Sequence, residues 1–233
     1  NLNQSQKDSL FFEIGWLCYS IKKLDSSILC FNRVSPMDNR HQQTIFFSSY
    51  SQSFLKQFAQ SKQLLSKTEK DTSLSKLKNF ELAGIALLER NKKDFEFYSS
   101  RFTFSDFYLK QEEQNLVAYS NKIFFRKKKS PFIAGTLSAI LPGAGKWYAG
   151  KKRQALGAFL PILSSAILTI EAYNKGGLKD ARFWLYGSFF TTFYIGNIWG
   201  STLAVKVKNK EFNELYDNKV LFDMHIPLRS FFN

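Results

Sequence analysis

Histidine and cysteine are scarce in this chain. Its 233 residues include two histidines, His41 and His225, and two cysteines, Cys18 and Cys30. No Cys/His cluster has metal-ligand spacing, so neither a metal site nor a cofactor is expected. His41 follows a turn in DNRHQQ and His225 sits in the tail. A general base or nucleophilic dyad needs partners held within hydrogen-bond reach, and neither context suggests one. Glu112 and Glu113 are adjacent, so they diverge on a helix and form no facing acid–base pair. Gly143 and Gly145 precede Lys146, but the full GxxxxGK[ST] phosphate loop is missing and Trp147 stands where its hydroxyl would be. No enzyme is expected. For Cys18 and Cys30, two buried thiols are the commoner reading, and a disulfide in an oxidising compartment is the alternative.

Acids are also few: 19 against 33 basic residues, a net charge of +14. That balance suits nucleic acid or anionic lipid. There is no Arg-rich groove motif, zinc-finger spacing or aromatic RNA-binding signature, so nucleic acid is not expected. Proline occurs once between residues 8 and 121, at Pro36, and no run alternates with period two. The expected class is therefore all-α. A 34-residue spacing relates Gly15 to Ser49 and to Ala83–Gly84, Ser27 to Ser61, and Phe31 to Leu65. In tetratricopeptide repeats a small residue in the first helix lets the second pack closely, so residues 1–121 read as degenerate repeats of that kind. Pro36 comes earlier than that pattern expects and the third unit loses the later spacing, which leaves a non-repetitive bundle as the alternative. Ser105–Asp106 is an expected cap for a helix running to about Asn121.

What is abundant is apolar and basic. Residues 122–130 carry Arg126, Lys127, Lys128 and Lys129 beside an aromatic pair. Each such cation near anionic lipid contributes about 1 kcal/mol. Three charge-free windows follow: Ser130–Gly145, Gln154–Ile170 and Phe183–Val205. A membrane helix takes about 20 apolar residues, so the second and third windows are expected to form a helical hairpin through a bilayer. The first is too broken by Pro142, Gly143 and Gly145 to cross, and is expected to be interfacial or re-entrant. Ser188, Thr192, Gly196, Gly200 and Ala204 recur every four residues, a stripe that would let two helices approach closely. Asn197 lies level with Pro161; either Asn197 or Ser201 is expected to donate to the carbonyl of Gly157, which proline frees, or Asn197 is solvated near a helix end. Glu171 is expected to reach the interface. Lys151, Lys152 and Arg153, with further lysines after Val205, would meet head groups at the open end. Residues 206–233 read as an amphipathic helix, with Phe212, Leu215 and Tyr216 on one face, and then a tail.

PGAGKWYAG, with Pro142, Gly143, Gly145, Tyr148 and Gly150, resembles the PGxGxxYxG signature of small bacterial two-helix membrane domains. FYIGNIWG resembles the GNIYG stretch of their second helix at Gly196, Asn197 and Gly200. The resemblance covers about a third of the chain. It implies a domain at residues 131–205, often joined to tetratricopeptide-like repeats in envelope proteins of Bacteroidota-type bacteria, and it implies no reaction.

The expected function is a membrane-anchored scaffold in an envelope complex for protein secretion or outer-membrane assembly, with membrane proteins and anionic lipid as partners. The alternative is an accessory role in lipid handling or membrane-protein insertion. The basic open end points to the cytoplasm by the positive-inside rule, whereas a removed export signal would put residues 1–121 in the periplasm. A hairpin returns to its starting side, so the two conflict. The mild apolarity of the windows favours the periplasmic side and leaves inner or outer membrane open.

Overall fold

The computed structural model describes residues 3–68 and 72–232. The outermost limits of the expected domains, at 1 and 233, lie outside the described residues. Those described contain no strand, in keeping with the all-α expectation. The chain divides into two compact units: residues 1–126 with 215–233, and residues 127–214.

The first unit begins with three helix pairs. They are α1 (Gln4–Ser20) with α2 (Leu24–Phe31), α3 (His41–Phe54) with α4 (Phe58–Ser66), and α5 (Thr72–Leu88) with α6 (Lys92–Ser99). Each pair turns through one residue in the left-handed region: Lys22 (φ 60°), Lys56 (φ 62°) and Arg90 (φ 62°). These positions are 34 residues apart. At each, the residue after the turn donates its N–H back into the preceding helix: Lys23 to Cys18 O, Gln57 to Gln52 O and Asn91 to Ala86 O, at 2.8, 2.8 and 2.9 Å. This six-to-one bond is how a helix end satisfies its orphan carbonyls, and glycine usually supplies the positive φ. Here basic side chains do, so the sequence hides the turns.

The small residues inside the pairs are buried contacts. Ser27 Oγ donates to Gly15 O at 2.9 Å, and Ser61 Oγ donates to Ser49 O at 2.8 Å. A Cβ on Gly15 would meet the Phe31 ring at 2.6 Å. Ser61 Oγ also lies 2.7 Å from Ser49 Oγ and 2.8 Å from Ser53 Oγ, all in the interior. Losing a shared partner strands buried hydroxyls at about 1–3 kcal/mol. Ser61→Ala is therefore expected to lower stability by about 2 kcal/mol, and more than Ser27→Ala, whose hydroxyl holds one bond. Paired denaturant titrations check the order.

Helix α7 (Lys110–Phe124) closes this part. It starts later than Ser105–Asp106 suggests, because Asp106 is spent on its own turn. Its Oδ1 accepts from the Tyr108 N–H at 3.1 Å and its carboxylate meets Lys76 at 3.4 Å. Cys18 and Cys30 are free and half-buried.

In the second unit, α8 (Pro131–Ile140) is capped by the Ser130 side chain with Pro131 in its first turn. A tight turn leads to the short α9 (Ala144–Tyr148), and α10 (Lys152–Gly176) follows, ending in a 3₁₀ turn at Gly177–Lys179. The 52-residue α11 (Ala181–Phe232) supplies its first part, to Glu214, to this unit. Among the described helices, one is long and apolar enough to cross a membrane, Lys152–Lys179, and 22% of its most apolar window is buried. The other expected crossing helix falls short of that apolarity. In Phe183–Val205, Asn197, five serine and threonine side chains and three glycines dilute the apolar residues.

The separate amphipathic helix and tail expected at 206–233 are also corrected. The helix runs on through Val205, and from Leu215 its residues belong to the first unit. There Val220, Leu221, Met224 and Leu228 are core, and Pro227 sits inside the helix. This segment packs onto the first helix of each pair and onto α7. The His225 ring meets Tyr19 and Tyr50, Phe232 meets Phe46 and Phe47, Met224 fills the space over Gly84, and Tyr216 meets Tyr119.

Candidate functional site

The signature residues converge at the turn between α8 and α9. Gly143 has φ 86°, which only glycine adopts without strain, and it begins α9. The first N–H groups of a helix have no partner within it. Side chains from α8 and α11 supply them. The Gly143 N–H donates to Asn197 Oδ1 at 3.2 Å, and the Gly145 N–H donates to Ser138 Oγ at 2.9 Å. Ser138 Oγ in turn donates to Ser201 Oγ at 2.7 Å, and Asn197 Nδ2 donates to Ser138 O at 3.3 Å. Asn197, Ser138 and Ser201 are buried. Tyr194 Oη donates to Ala139 O on the same side. The loop is thus held by a closed polar network within an otherwise apolar segment.

Asn197 therefore serves Gly143 and Ser138, and neither sequence-based expectation for it describes this arrangement. The Pro161 carbonyl takes hydroxyl bonds from Ser164 and Ser165 of its own helix. Gly145 sits so close to α8 that a Cβ would overlap the Ala134 carbonyl oxygen. Tyr148 closes the base. Its Oη accepts from the Ser130 N–H at 3.2 Å, its carbonyl accepts from Lys129 Nζ, and that ammonium lies 5.1 Å from its ring centre. Asn209 Nδ2 donates to Lys129 O at 3.0 Å. Gly150 has φ 84° and follows α9.

The expected packing stripe divides. Ala204 is buried and Gly200 is half-buried beside the Lys146 stem, whereas Ser188, Thr192 and Gly196 are exposed. A Cβ on Gly157 or on Gly196 meets nothing within 4 Å. Both line an open cleft of about 270 Å³ with Pro161, Thr192 and Asn197. The face that packs is Asn197, Ser201, Ala204 and Val205, directed at α8 and α9. Ser138 is not legible as a site residue. Ser201, expected at most to serve the Gly157 carbonyl, accepts from Ser138 instead and forms with Asn197 an i, i+4 polar pair in an apolar helix. Of the expected head-group cations in this unit, Lys127, Lys128, Lys152 and Arg153 are exposed, whereas Lys129 and Lys151 are half-buried. Arg126 ends the first unit and is half-buried.

In the first unit the buried acids differ: Asp8 and Glu113 accept backbone hydrogen bonds, and Glu81 does not. Glu81 on α5 is fully buried with neither carboxyl oxygen hydrogen-bonded. Burial pushes its carboxyl well above the usual carboxylate range. An acid whose folded pKa is raised costs stability above its unfolded value, about 4.3, and that cost fades as the pH falls below it. Glu81→Met is expected to stabilise the unit by about 1–3 kcal/mol near neutrality, and by less below about pH 4.3. Melting curves of both proteins across pH check the slope. His41 Nδ1 is buried and unpaired, and His225 stacks on Tyr50 with ring centres 5.2 Å apart. The described residues contain no cluster of three or more metal-ligating side chains.

Comparison of the chain with models of protein families, with curated proteins and with solved structures finds no match.

Proposed function

We propose that the chain is a non-catalytic, membrane-anchored scaffold of a bacterial envelope complex serving protein secretion or outer-membrane assembly. The helix pairs are read as degenerate tetratricopeptide-like repeats, and the 34-residue recurrence of their left-handed turns supports that reading. Residues 131–205 are read as the two-helix membrane domain whose signature they resemble. Leu156, Leu160, Ile167 and Ile170 on α10 and Leu185, Ile195, Trp199 and Leu203 on α11 are all exposed by half or more. Apolar surface of that extent marks a lipid or protein contact. The exposed Lys127, Lys128, Lys152 and Arg153 fit anionic head groups. The periplasmic placement of the first unit belongs to the same proposal.

The observation that carries the scaffold reading is a stripe on α1. Leu10, Ile14, Leu17 and Ile21 follow helical spacing, and all four are exposed. The face of the helix pairs that meets the C-terminal segment is already filled from within the chain, which leaves this stripe as the surface for a partner protein. Leu17→Glu with Ile21→Glu should keep the fold and lose partner proteins in affinity capture from envelope membranes, read by mass spectrometry. The scaffold reading fails if the captured set is unchanged. Single substitution of His41 is expected to leave activity in cells intact.

A second reading, an accessory role in lipid handling or membrane-protein insertion, is favoured by one feature. An apolar cleft of about 330 Å³ lies beside the turn, lined by Leu141, Pro142, Trp147, Leu156 and Phe159. Altered lipid or insertion flux without a stable partner would select it.

A further inference from the structure

The first unit contains a half-open cavity of about 470 Å³. That volume falls within the range of about 300–1,000 Å³ usual for small-ligand sites. Its walls are aromatic: Trp16 and Tyr19 from α1, and Tyr50 and Phe54 from α3. Its polar equipment is one-sided. Lys22 stands in the α1–α2 turn and Arg229 on the last turns of α11, and neither has an ion pair among the described residues. His225 lines the same space, and its Nε2 is buried without a hydrogen-bond partner. Among the described residues, no carboxylate lines the cavity. Glu81 acts on Tyr19 and Tyr50 from outside the cavity, and burial pushes its carboxyl well above the usual carboxylate range.

We infer that this cavity is a binding site for a small apolar monocarboxylate, its aryl or alkyl body against the aromatic walls and its carboxylate between Lys22 and Arg229. A buried imidazole nitrogen with no partner is costly, and a carboxylate oxygen would supply one. Arg and Lys differ in reach, so the guanidinium holds the carboxylate in a fork while the lysine adds charge. An amine is disfavoured by the two cations, and a neutral alcohol leaves them unanswered. The C-terminal segment fills the adjoining face of the helix pairs, which limits the open space to the size of a small ligand. This assignment is independent of the scaffold reading and of any membrane.

The test uses the full chain in neutral phosphatidylcholine nanodiscs, titrated calorimetrically with 4-phenylbutyrate, 4-phenylbutanol and 4-phenylbutylamine. Empty nanodiscs give the background. The carboxylate is expected to bind at least tenfold more tightly than the alcohol, with the amine undetected. Lys22→Gln, on an exposed turn, and Arg229→Gln should each erode that preference by about tenfold while the melting temperature is kept. If Arg229→Gln does not fold, Lys22→Gln alone decides. Equal binding of all three probes, or a preference unchanged by Lys22→Gln, overturns the inference. So does tighter binding of a short peptide ending in phenylalanine, which would make the site one for a chain terminus.

Discussion

Ending the chain at Glu214 is expected to leave the first unit unfolded, although its three helix pairs and α7 would all remain. Val220, Met224 and Leu228 are fully buried and Leu221 nearly so. Fully burying side chains of this size contributes about 1.5–3 kcal/mol each. Their sum is comparable to the whole stability of a domain, about 5–15 kcal/mol. The truncation also removes Phe232 from Phe46 and Phe47, and Met224 from the space over Gly84. The same reasoning applies to a fragment ending near Phe125. On sequence alone that fragment looks self-sufficient, and the structure makes it expected to aggregate. Met224→Ala is the milder version, at about 2–5 kcal/mol. Near-ultraviolet circular dichroism and limited proteolysis decide. A shortened chain with native helix content and native protease resistance would sink the claim.

The second large effect is expected in the turn. Gly145→Ala puts a methyl group into the Ala134 carbonyl and against Ser138 Oγ, 2.6 Å away. The first obstacle is backbone, so it has no rotamer by which to yield. Loss of the α8–α9 contact is expected, seen as loss of the monodisperse peak in detergent size exclusion. Asn197→Leu should follow the same course through chemistry. It leaves the Gly143 N–H unpaired in an apolar setting, where each such group costs several kcal/mol. Gly157→Ala and Gly196→Ala should elute as the parent does, because open space lies over both. If Gly196→Ala collapses the protein and Gly145→Ala does not, the packing described for the turn is wrong.

These contrasts show what the sequence carried. The helices were legible because apolar residues recur at helical spacing and proline is nearly absent before Pro131. The Pro142–Gly150 signature was legible as a place. Its partners were less so, because a hydroxyl in an apolar helix looks the same whether it bonds its own backbone, as Ser165 does, or another helix, as Ser201 does. The stripe from Ser188 to Ala204 was read as one surface, but an exposed small residue and a buried one share the same letters. Lys22, Lys56 and Arg90 could not be read as left-handed, since no side chain there signals it. The tail was hardest. Val220, Leu221, Met224 and Leu228 do form a stripe. Its partners lie more than a hundred residues back, and nothing local points to them.

The position of that tail bears on how the protein is made. Residues 215–232 leave the ribosome only after residues 127–214 have been synthesised. The first unit therefore has a discontinuous core, with its final contacts among the most distant in the chain. Contacts of high sequence separation slow folding, and apolar surface left waiting is prone to aggregation. During synthesis the helix pairs would emerge with Phe46, Phe47 and Gly84 uncovered, and would stay so until residues 215–232 had followed. A holding chaperone has most to gain in that interval. Ribosome-stalled chains ending before and after Leu228 should differ sharply in chaperone capture.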